Sequence, residues 1–150
     1  MATVTSAGRQ AWLAITELLS TGDAHELVHE TSASLGLTAG LLRALREIPD
    51  GQGMSMGRLA ELWRCDASYV TAVIDGLEAR GLAKRRADRR DRRVKHVVVT
   101  AAGRRVRDRA DKLLAVPPPA FKALSGIEQR QLRDLMHKVV NANTSFNASA

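Results

Sequence analysis

The amino-acid sequence predicts a mainly helical protein with one small β-hairpin. Aromatic residues make up only 3% of its 150 residues while hydrophobic residues make up 45%, so the core must be built from Leu, Val, Ala and Ile, which suits helices packing on helices. Apolar residues recur at helical spacing along most of the chain. Two short runs, 82–86 and 95–99, are instead typical of strands, and they flank an arginine-rich segment.

Length and composition bound the class of protein. A chain of 150 residues forms one ordinary domain, or a small core with helical extensions. No apolar run approaches the ~20 residues that a membrane span needs, and the N-terminus lacks the layout of a secretion signal. Cys65 is the one cysteine, so no internal disulfide can form. We therefore expect a reduced, cytoplasmic protein.

Three helices are predicted before the middle of the chain. Residues 9–19 carry apolar side chains at helical spacing. Asp23 is a candidate N-cap for a second helix and Thr38 for a third, because short oxygen-bearing side chains can accept a hydrogen bond from the first helical turn. The third helix must stop before Pro49.

Two short helices joined by a tight turn follow. Ser55 is placed to cap the first and Asp66 to cap the second, and Gly81 suits the left-handed position after a helix. The inward face of the second helix is predicted to consist of Val70, Val73, Ile74 and Leu77. Such a pair of helices is a helix-turn-helix.

After the hairpin, two more helices are predicted. Thr100 is the N-cap of the first, and Pro117 begins the proline run that ends it. Ser125 and Glu128 form a capping box that opens the last helix. We expect that helix to end near Val140 in a polar tail.

Positive charge is concentrated around the hairpin. The whole chain carries +7, but residues 80–109 contain 13 Lys and Arg against 3 Asp and Glu, a net charge of +10, which leaves −3 for the rest. Clustered arginines are typical of proteins that bind a polyanion. A membrane surface would require an apolar helix face, and residues 85–93 have none. Duplex nucleic acid is the expected partner.

Four groups of residues occur in a specific order and spacing: Leu59-Ala60-Glu61-Leu62, then Val70-Thr71 with Ile74-Asp75-x-Leu77-Glu78-x-x-Gly81-Leu82, then Asp91-Arg92-Arg93, and Val99-Thr100-x-x-Gly103. Together they resemble the MarR (multiple antibiotic resistance) family of transcriptional regulators. The resemblance is close over residues 37–114 and looser towards both ends. It implies a winged helix-turn-helix homodimer that represses or activates genes by binding near-palindromic duplex DNA, with a repressor as the expected role. The resemblance also implies that a small molecule or thiol oxidation relieves DNA binding.

The resemblance also implies a division of the chain. Residues 1–36 and 100–150 would supply dimerisation helices, the latter ending in the polar tail, and residues 37–99 would form the winged DNA-binding core. No cofactor and no enzymatic activity are expected. A second binding hypothesis is a winged helix that binds DNA or RNA without regulation by a ligand.

The predicted DNA contacts lie on the second helix of the pair and on the hairpin. The helix would present a face of small and hydroxyl side chains to the major groove, although Ser68 and Thr71 have the alternative role of bonding local backbone groups. Arg64 is placed for a phosphate. The resemblance implies that Asp91 pairs with Arg93 to orient the wing. The full set of candidates is Arg64, Ala67, Ser68, Tyr69, Thr71, Ala72, Arg85, Arg86, Arg89, Arg90, Asp91, Arg92, Arg93 and Lys95.

One sequence motif indicates zinc binding rather than DNA binding. His25-Glu26-Leu27-Val28-His29 matches the H-E-x-x-H pattern, in which two histidines on one helix face hold zinc and the glutamate acts as a general base. The extension that would supply a third ligand is absent, since Ser32 and Leu35 stand where Gly and His are needed. Three interpretations of the motif stay open: it belongs to a metal-responsive regulator, it belongs to a metalloprotease, or its histidines lie on the surface without binding metal. Cys65 likewise fits either a redox switch or a small packing residue.

Overall fold

The computed structural model describes residues 3–20, 23–88, 91 and 93–148. They divide into two compact units, Met1–Val116 and Pro117–Ala150. The first unit contains α1 (Ser6–Ser20), α2 (Asp23–Ser34), α3 (Ala39–Glu47), β1 (Met54–Ser55), α4 (Met56–Trp63), α5 (Ala67–Glu78), β2 (Ala83–Ala87), β3 (Lys95–Val99) and α6 (Ala101–Leu114). The second contains a 3₁₀ turn (Pro119–Ala123) and α7 (Gly126–Ala148). The prediction of a mainly helical fold with a small β wing is confirmed.

Helix starts are set by local side-chain chemistry. Thr38, Ser55 and Thr100 are the N-caps of α3, α4 and α6, and their hydroxyl oxygens accept hydrogen bonds from backbone N–H groups at 3.0–3.3 Å. These three predictions are confirmed. Asp66 occupies the N-cap position of α5, but its side chain makes no capping hydrogen bond, so the predicted role of its carboxylate is wrong.

The sheet has three antiparallel strands in the order β1-β3-β2. β2 runs one residue later than predicted, and the two-residue β1 was not predicted. The central strand β3 buries Val97, Val98 and Val99. This explains why the sequence of β3 shows imperfect alternation: both of its faces are covered, so both carry apolar residues.

The core lies between the helix-turn-helix and the sheet. Residues at the inner faces of α3, α4 and α5 are fully buried, as is Val97 from β3. On α5 the buried positions are Val70, Val73, Ile74 and Leu77, as predicted from helical spacing. The opposite face of α5 is therefore free to meet a partner.

A close backbone contact attaches α6 to the segment that follows α5. Thr100 donates from its hydroxyl to the Gly81 carbonyl at 2.7 Å, and Gly81 has the predicted left-handed conformation with φ of 68°. A Cβ atom at Gly103 would overlap the Leu82 carbonyl oxygen. The Thr-x-x-Gly pattern is thus needed because α6 starts directly against the Gly81–Leu82 backbone.

The terminal helices carry exposed apolar residues. Trp12, Leu13 and Leu19 of α1 are 60–64% exposed, and Leu135 and Val139 of α7 are 63% and 60% exposed. None of the helices in the described ranges combines the length and apolar character needed to cross a membrane.

The capping box of α7 is confirmed. Glu128 accepts hydrogen bonds from the backbone N–H and the hydroxyl of Ser125 at 2.8 and 2.7 Å. The predicted end near Val140 is wrong, because the helix continues to Ala148.

Candidate nucleic-acid interface

The exposed face of α5 consists of small side chains. Ala67, Ser68, Thr71 and Ala72 are all exposed and lie opposite the buried stripe. Short side chains allow the helix axis to approach the floor of a groove, and a hydroxyl can donate to or accept from a base edge. This part of α5 has the shape expected of a recognition helix.

Thr71 uses its hydroxyl locally. Its Oγ1 donates to the Ala67 carbonyl at 2.9 Å, which is the alternative role that the sequence left open. The oxygen still has lone pairs, so Thr71 is available as an acceptor rather than a donor.

Tyr69 points back towards α3 and α4. It is 51% exposed, and its ring meets that of Trp63 edge-on at 6.4 Å. Its hydroxyl lies only 3.1 Å from where a Cβ on Gly40 would be. Trp63 in turn donates from its indole to the carboxylate of Glu47. Tyr69 is thus packed at the edge of the exposed face.

Arg64 and Cys65 lie in the turn of the helix-turn-helix. Arg64 is exposed and adopts a left-handed conformation with φ of 51°. With Asp66, Tyr69, Ala60 and Glu61, the two residues line an open cavity of about 690 Å³. Cys65 is half-buried and packs against the core.

Arg85 is fixed to the recognition helix. Its guanidinium makes ion pairs with Asp75, at 2.7 Å, and with Glu78, and it reaches the Thr71 carbonyl at 3.5 Å. Its backbone N–H also donates to Glu78 at 2.7 Å, and its side chain is only 20% exposed. Burial lowers the pKa of Arg85, but the hydrogen bonds to both carboxylates outweigh burial and raise it. Arg85 therefore joins β2 to α5 with its charge already neutralised.

Other cations of the wing point outwards. Arg86, Arg93 and Lys95 are exposed, and none forms an ion pair with another residue in the described ranges. Arg89, Arg90 and Arg92 lie outside the described residues. Arg86 follows Arg85 directly, so adjacent arginines on one strand have opposite surroundings.

Asp91 forms hydrogen bonds with two described neighbours in the wing. Its carboxylate accepts from the Arg93 N–H at 2.9 Å, and its own N–H donates to Asp88 at 3.1 Å. Asp88 also lies 3.2 Å from His96. The side-chain pair of Asp91 with the Arg93 guanidinium, which the family resemblance implied, is not formed between these two described residues. The Arg93 guanidinium is left exposed.

A comparison with the sequence models of protein families finds a match to the core of the chain. Residues 37–95, which contain the helix-turn-helix and most of the wing, match the sequence model of the MarR family. The core of the chain is thus similar to that of MarR-family transcriptional regulators. Its fold is the winged helix-turn-helix.

Solved structures of MarR-family regulators cover most of the chain. Apo MarR from E. coli is 20% identical, with a TM-score of 0.70, and the alignment covers 92% of this chain and 98% of that one. A MarR-family regulator from Rhodococcus sp. RHA1 is 24% identical, with a TM-score of 0.67 and coverage of 91% and 96%. CouR from Rhodococcus jostii RHA1, solved bound to p-coumaroyl-CoA, is 29% identical, with a TM-score of 0.59 and coverage of 83% and 90%. A comparison with curated proteins gave no significant match.

Several arginines of the basic stretch are used inside this MarR-family fold. Arg107 binds Asp50 at 2.6 Å and the Ile48 carbonyl at 3.1 Å, and its hydrogen bond lowers the pKa of Asp50. Arg80 donates to the carbonyls of Gly36 and Gly76. The net charge of residues 80–109 therefore overstates the charge available to a partner.

The two histidines of the H-E-x-x-H motif lie side by side on α2. Their Nε2 atoms are 3.3 Å apart and both side chains are exposed. Within the described ranges, no three His, Cys, Asp or Glu residues are grouped so that they could hold a metal ion. The third protein ligand of a zinc peptidase is therefore missing from that part of the chain.

Proposed function

We propose that this protein is a MarR-type transcriptional regulator that binds near-palindromic duplex DNA as a homodimer. Each protomer would place the N-terminal half of α5 in the major groove and the β2–β3 wing against the adjacent minor groove. The observation that carries the proposal is the link formed by Arg85. Arg85 joins β2 to α5, the helix whose exposed face carries small side chains. The residue that follows it on β2, Arg86, is exposed and has no ion-pair partner among the described residues.

The recognition helix α5 and the β2–β3 wing would make different contacts with DNA. Ser68 and the acceptor oxygen of Thr71 would contact base edges, while Ala67 and Ala72 would pack against thymine methyl groups. Cations of the wing and its surroundings would neutralise phosphates or enter the minor groove, releasing counterions. In this proposal the cations are Arg64, Arg86, Arg89, Arg90, Arg92, Arg93 and Lys95. Arg85 and Asp91 act on the protein side by holding the wing in place.

A second copy of the chain would cover the apolar residues of the terminal helices. Trp12 and Leu13 of α1, and Leu135 and Val139 of α7, each expose 60% or more of their surface. Burying such side chains contributes about 1.5–3 kcal/mol each at full burial. A two-fold dimer would place its recognition helices about 34 Å apart, one turn of DNA. The bound DNA would then be an inverted repeat.

We also propose that a small molecule relieves DNA binding and that the regulator acts as a repressor. The support comes from CouR, whose structure was solved with p-coumaroyl-CoA bound. Compounds can be screened directly by their release of fluorescent duplex DNA, with p-coumaroyl-CoA as the first probe. A releasing compound should lower the affinity for DNA at least about tenfold, the size of a typical allosteric coupling.

Selection from a random duplex pool tests the DNA-binding proposal. The purified chain should enrich an inverted repeat whose half-sites are centred about 10–10.5 bp apart. The selected duplex should then be compared with a hairpin RNA of equal length at increasing salt. Enrichment of no symmetric sequence, or tighter binding to the RNA at every salt concentration, would contradict the proposal. Arg133→Ala is a suitable control, since Arg133 is an exposed residue of α7 paired with its neighbour Asp134.

A further inference from the structure

We propose that His25 and His29 of α2 bind a divalent transition metal ion of the zinc class, independently of DNA. The two residues are four apart on one helix, which puts their side chains on the same face. Both are exposed, so an ion can reach them from solvent. Neither residue has a place in the DNA-binding proposal.

The distance between the ligating atoms fits tetrahedral coordination. The Nε2 atoms lie 3.3 Å apart while the ring centroids are 4.4 Å apart, so the rings approach each other at their Nε2 edges. Two nitrogen ligands at ~2.0–2.1 Å from a tetrahedral zinc ion are themselves about 3.3 Å apart. A zinc ion could thus join the two imidazoles with little change in either side chain.

The helix that carries the two histidines is acidic in sequence. Between Asp23 and Ser34 it has one Asp, two Glu and no Lys or Arg, although the whole chain carries +7. Without metal, the close approach of the two rings requires one Nε2 to donate a proton to the other. A bound ion would replace this shared proton and accept a lone pair from each ring.

The coordination shell would be completed by water. Structural zinc sites use four protein ligands and catalytic sites use three, and in the described part of the chain no third His, Cys, Asp or Glu is grouped with the pair so that three residues could hold a metal ion. A site with two protein ligands is open and exchangeable. It would stabilise α2 by linking adjacent turns, and it would not supply peptidase chemistry.

Isothermal titration of the tag-free, metal-free protein with ZnCl₂ tests the site. We expect one zinc ion per chain, and we expect His25→Gln and His29→Gln each to weaken the affinity at least tenfold. His137→Gln in α7 and Cys65→Ser are the matched controls and should bind as the wild type does. Thermal unfolding without metal should be the same for the wild type and the histidine variants, while zinc should raise the unfolding temperature only where both His25 and His29 are present.

Cobalt provides a second readout, because Co²⁺ in a nitrogen-containing site gives visible absorption that the His25 and His29 variants should lose. Zinc binding that survives in His25→Gln would overturn the proposal, as would no binding at a tenfold molar excess of zinc. A failure of the DNA-binding proposal would leave these results unchanged, since no step of the titration uses DNA.

Discussion

Arg85 and Arg86 provide a sharp test of how the wing works. The two arginines are consecutive on β2, but Arg85 is paired with Asp75 and Glu78 of the recognition helix while Arg86 is exposed. Replacing either arginine with alanine removes the same charge and the same side-chain atoms. We predict that Arg85→Ala lowers the stability of the fold and that Arg86→Ala lowers the contribution of phosphate contacts to DNA binding.

The expected magnitudes follow from the contacts. Removing Arg85 leaves two carboxylates without their cation, but the side chain of Asp75 is 61% exposed, and Glu78 keeps the backbone N–H of residue 85. The loss of unfolding free energy should therefore be modest, roughly 1–2 kcal/mol. This corresponds to a fall of about 2–8 °C in Tm at fixed protein concentration. Arg86→Ala should change stability by less than about 0.5 kcal/mol.

Salt dependence separates the two roles. Each phosphate contact contributes about 0.9 to the slope of log K against log salt concentration, so losing Arg86 from both protomers should lower the slope by about 2. Arg85→Ala should leave the slope unchanged while weakening affinity at every salt concentration, because the wing is no longer held against α5. Arg85→Lys should give an intermediate stability, since an ammonium cannot bridge both carboxylates with a planar fork.

Fluorescence anisotropy of labelled duplex DNA from about 50 to 200 mM salt, with thermal unfolding by circular dichroism, measures both quantities. The reasoning is refuted if Arg85→Ala lowers the slope as much as Arg86→Ala does while its Tm stays at the wild-type value. That result would mean that the Arg85 guanidinium leaves its carboxylates and contacts a phosphate.

Three further predictions concern the wing and the fold. Replacing Arg92 and Arg93 with alanine should weaken binding to all duplex sequences and lower the salt slope by about 3–4 for a dimer; an unchanged slope would count against the wing. Gly103→Ala should lower the unfolding free energy by roughly 2–4 kcal/mol in urea denaturation, because the added Cβ overlaps the Leu82 carbonyl oxygen, whereas wild-type stability would contradict that contact. The hydrogen bond to Arg107 lowers the pKa of Asp50. The ion pair therefore contributes to the free energy of unfolding above the ordinary carboxyl pKa of about 4, and this contribution is lost as pH falls through the lowered pKa of Asp50. Asp50→Asn should therefore be less stable than wild type at neutral pH, and the gap should narrow on acidification; a gap independent of pH would exclude this ion pair.

Features that depend on a few neighbouring residues could be predicted from the sequence. The caps Thr38, Ser55 and Thr100 could be predicted because a Ser or Thr hydroxyl directly before a helix accepts a hydrogen bond from a backbone N–H within the first helical turn. The buried stripe of α5 followed from periodicity alone. The capping box at Ser125 is equally local. These features define the order of the helices and the direction in which α5 faces.

Features that depend on contacts between distant segments could not be predicted. In the sequence, Arg85 does not differ from the other cations of the basic run. Its pairing with Asp75 and Glu78 could not be predicted, because the three residues come together only in the folded chain. The strand Met54–Ser55 is two residues long and exists because it pairs with β3, so no sequence pattern marks it. Asp91 shows a different limit, because the family resemblance implied a pair with the Arg93 guanidinium, whereas its carboxylate accepts a local hydrogen bond from the Arg93 backbone N–H.

The most direct test of the central claim is the affinity and stoichiometry of wild-type protein on duplex DNA as a function of salt. The account predicts two chains per duplex carrying the selected inverted repeat, and a steep loss of affinity between about 50 and 200 mM salt, of the order of 10³ or more for six or more phosphate contacts. A protein that stays monomeric and shows no affinity for duplex DNA at low salt would contradict it.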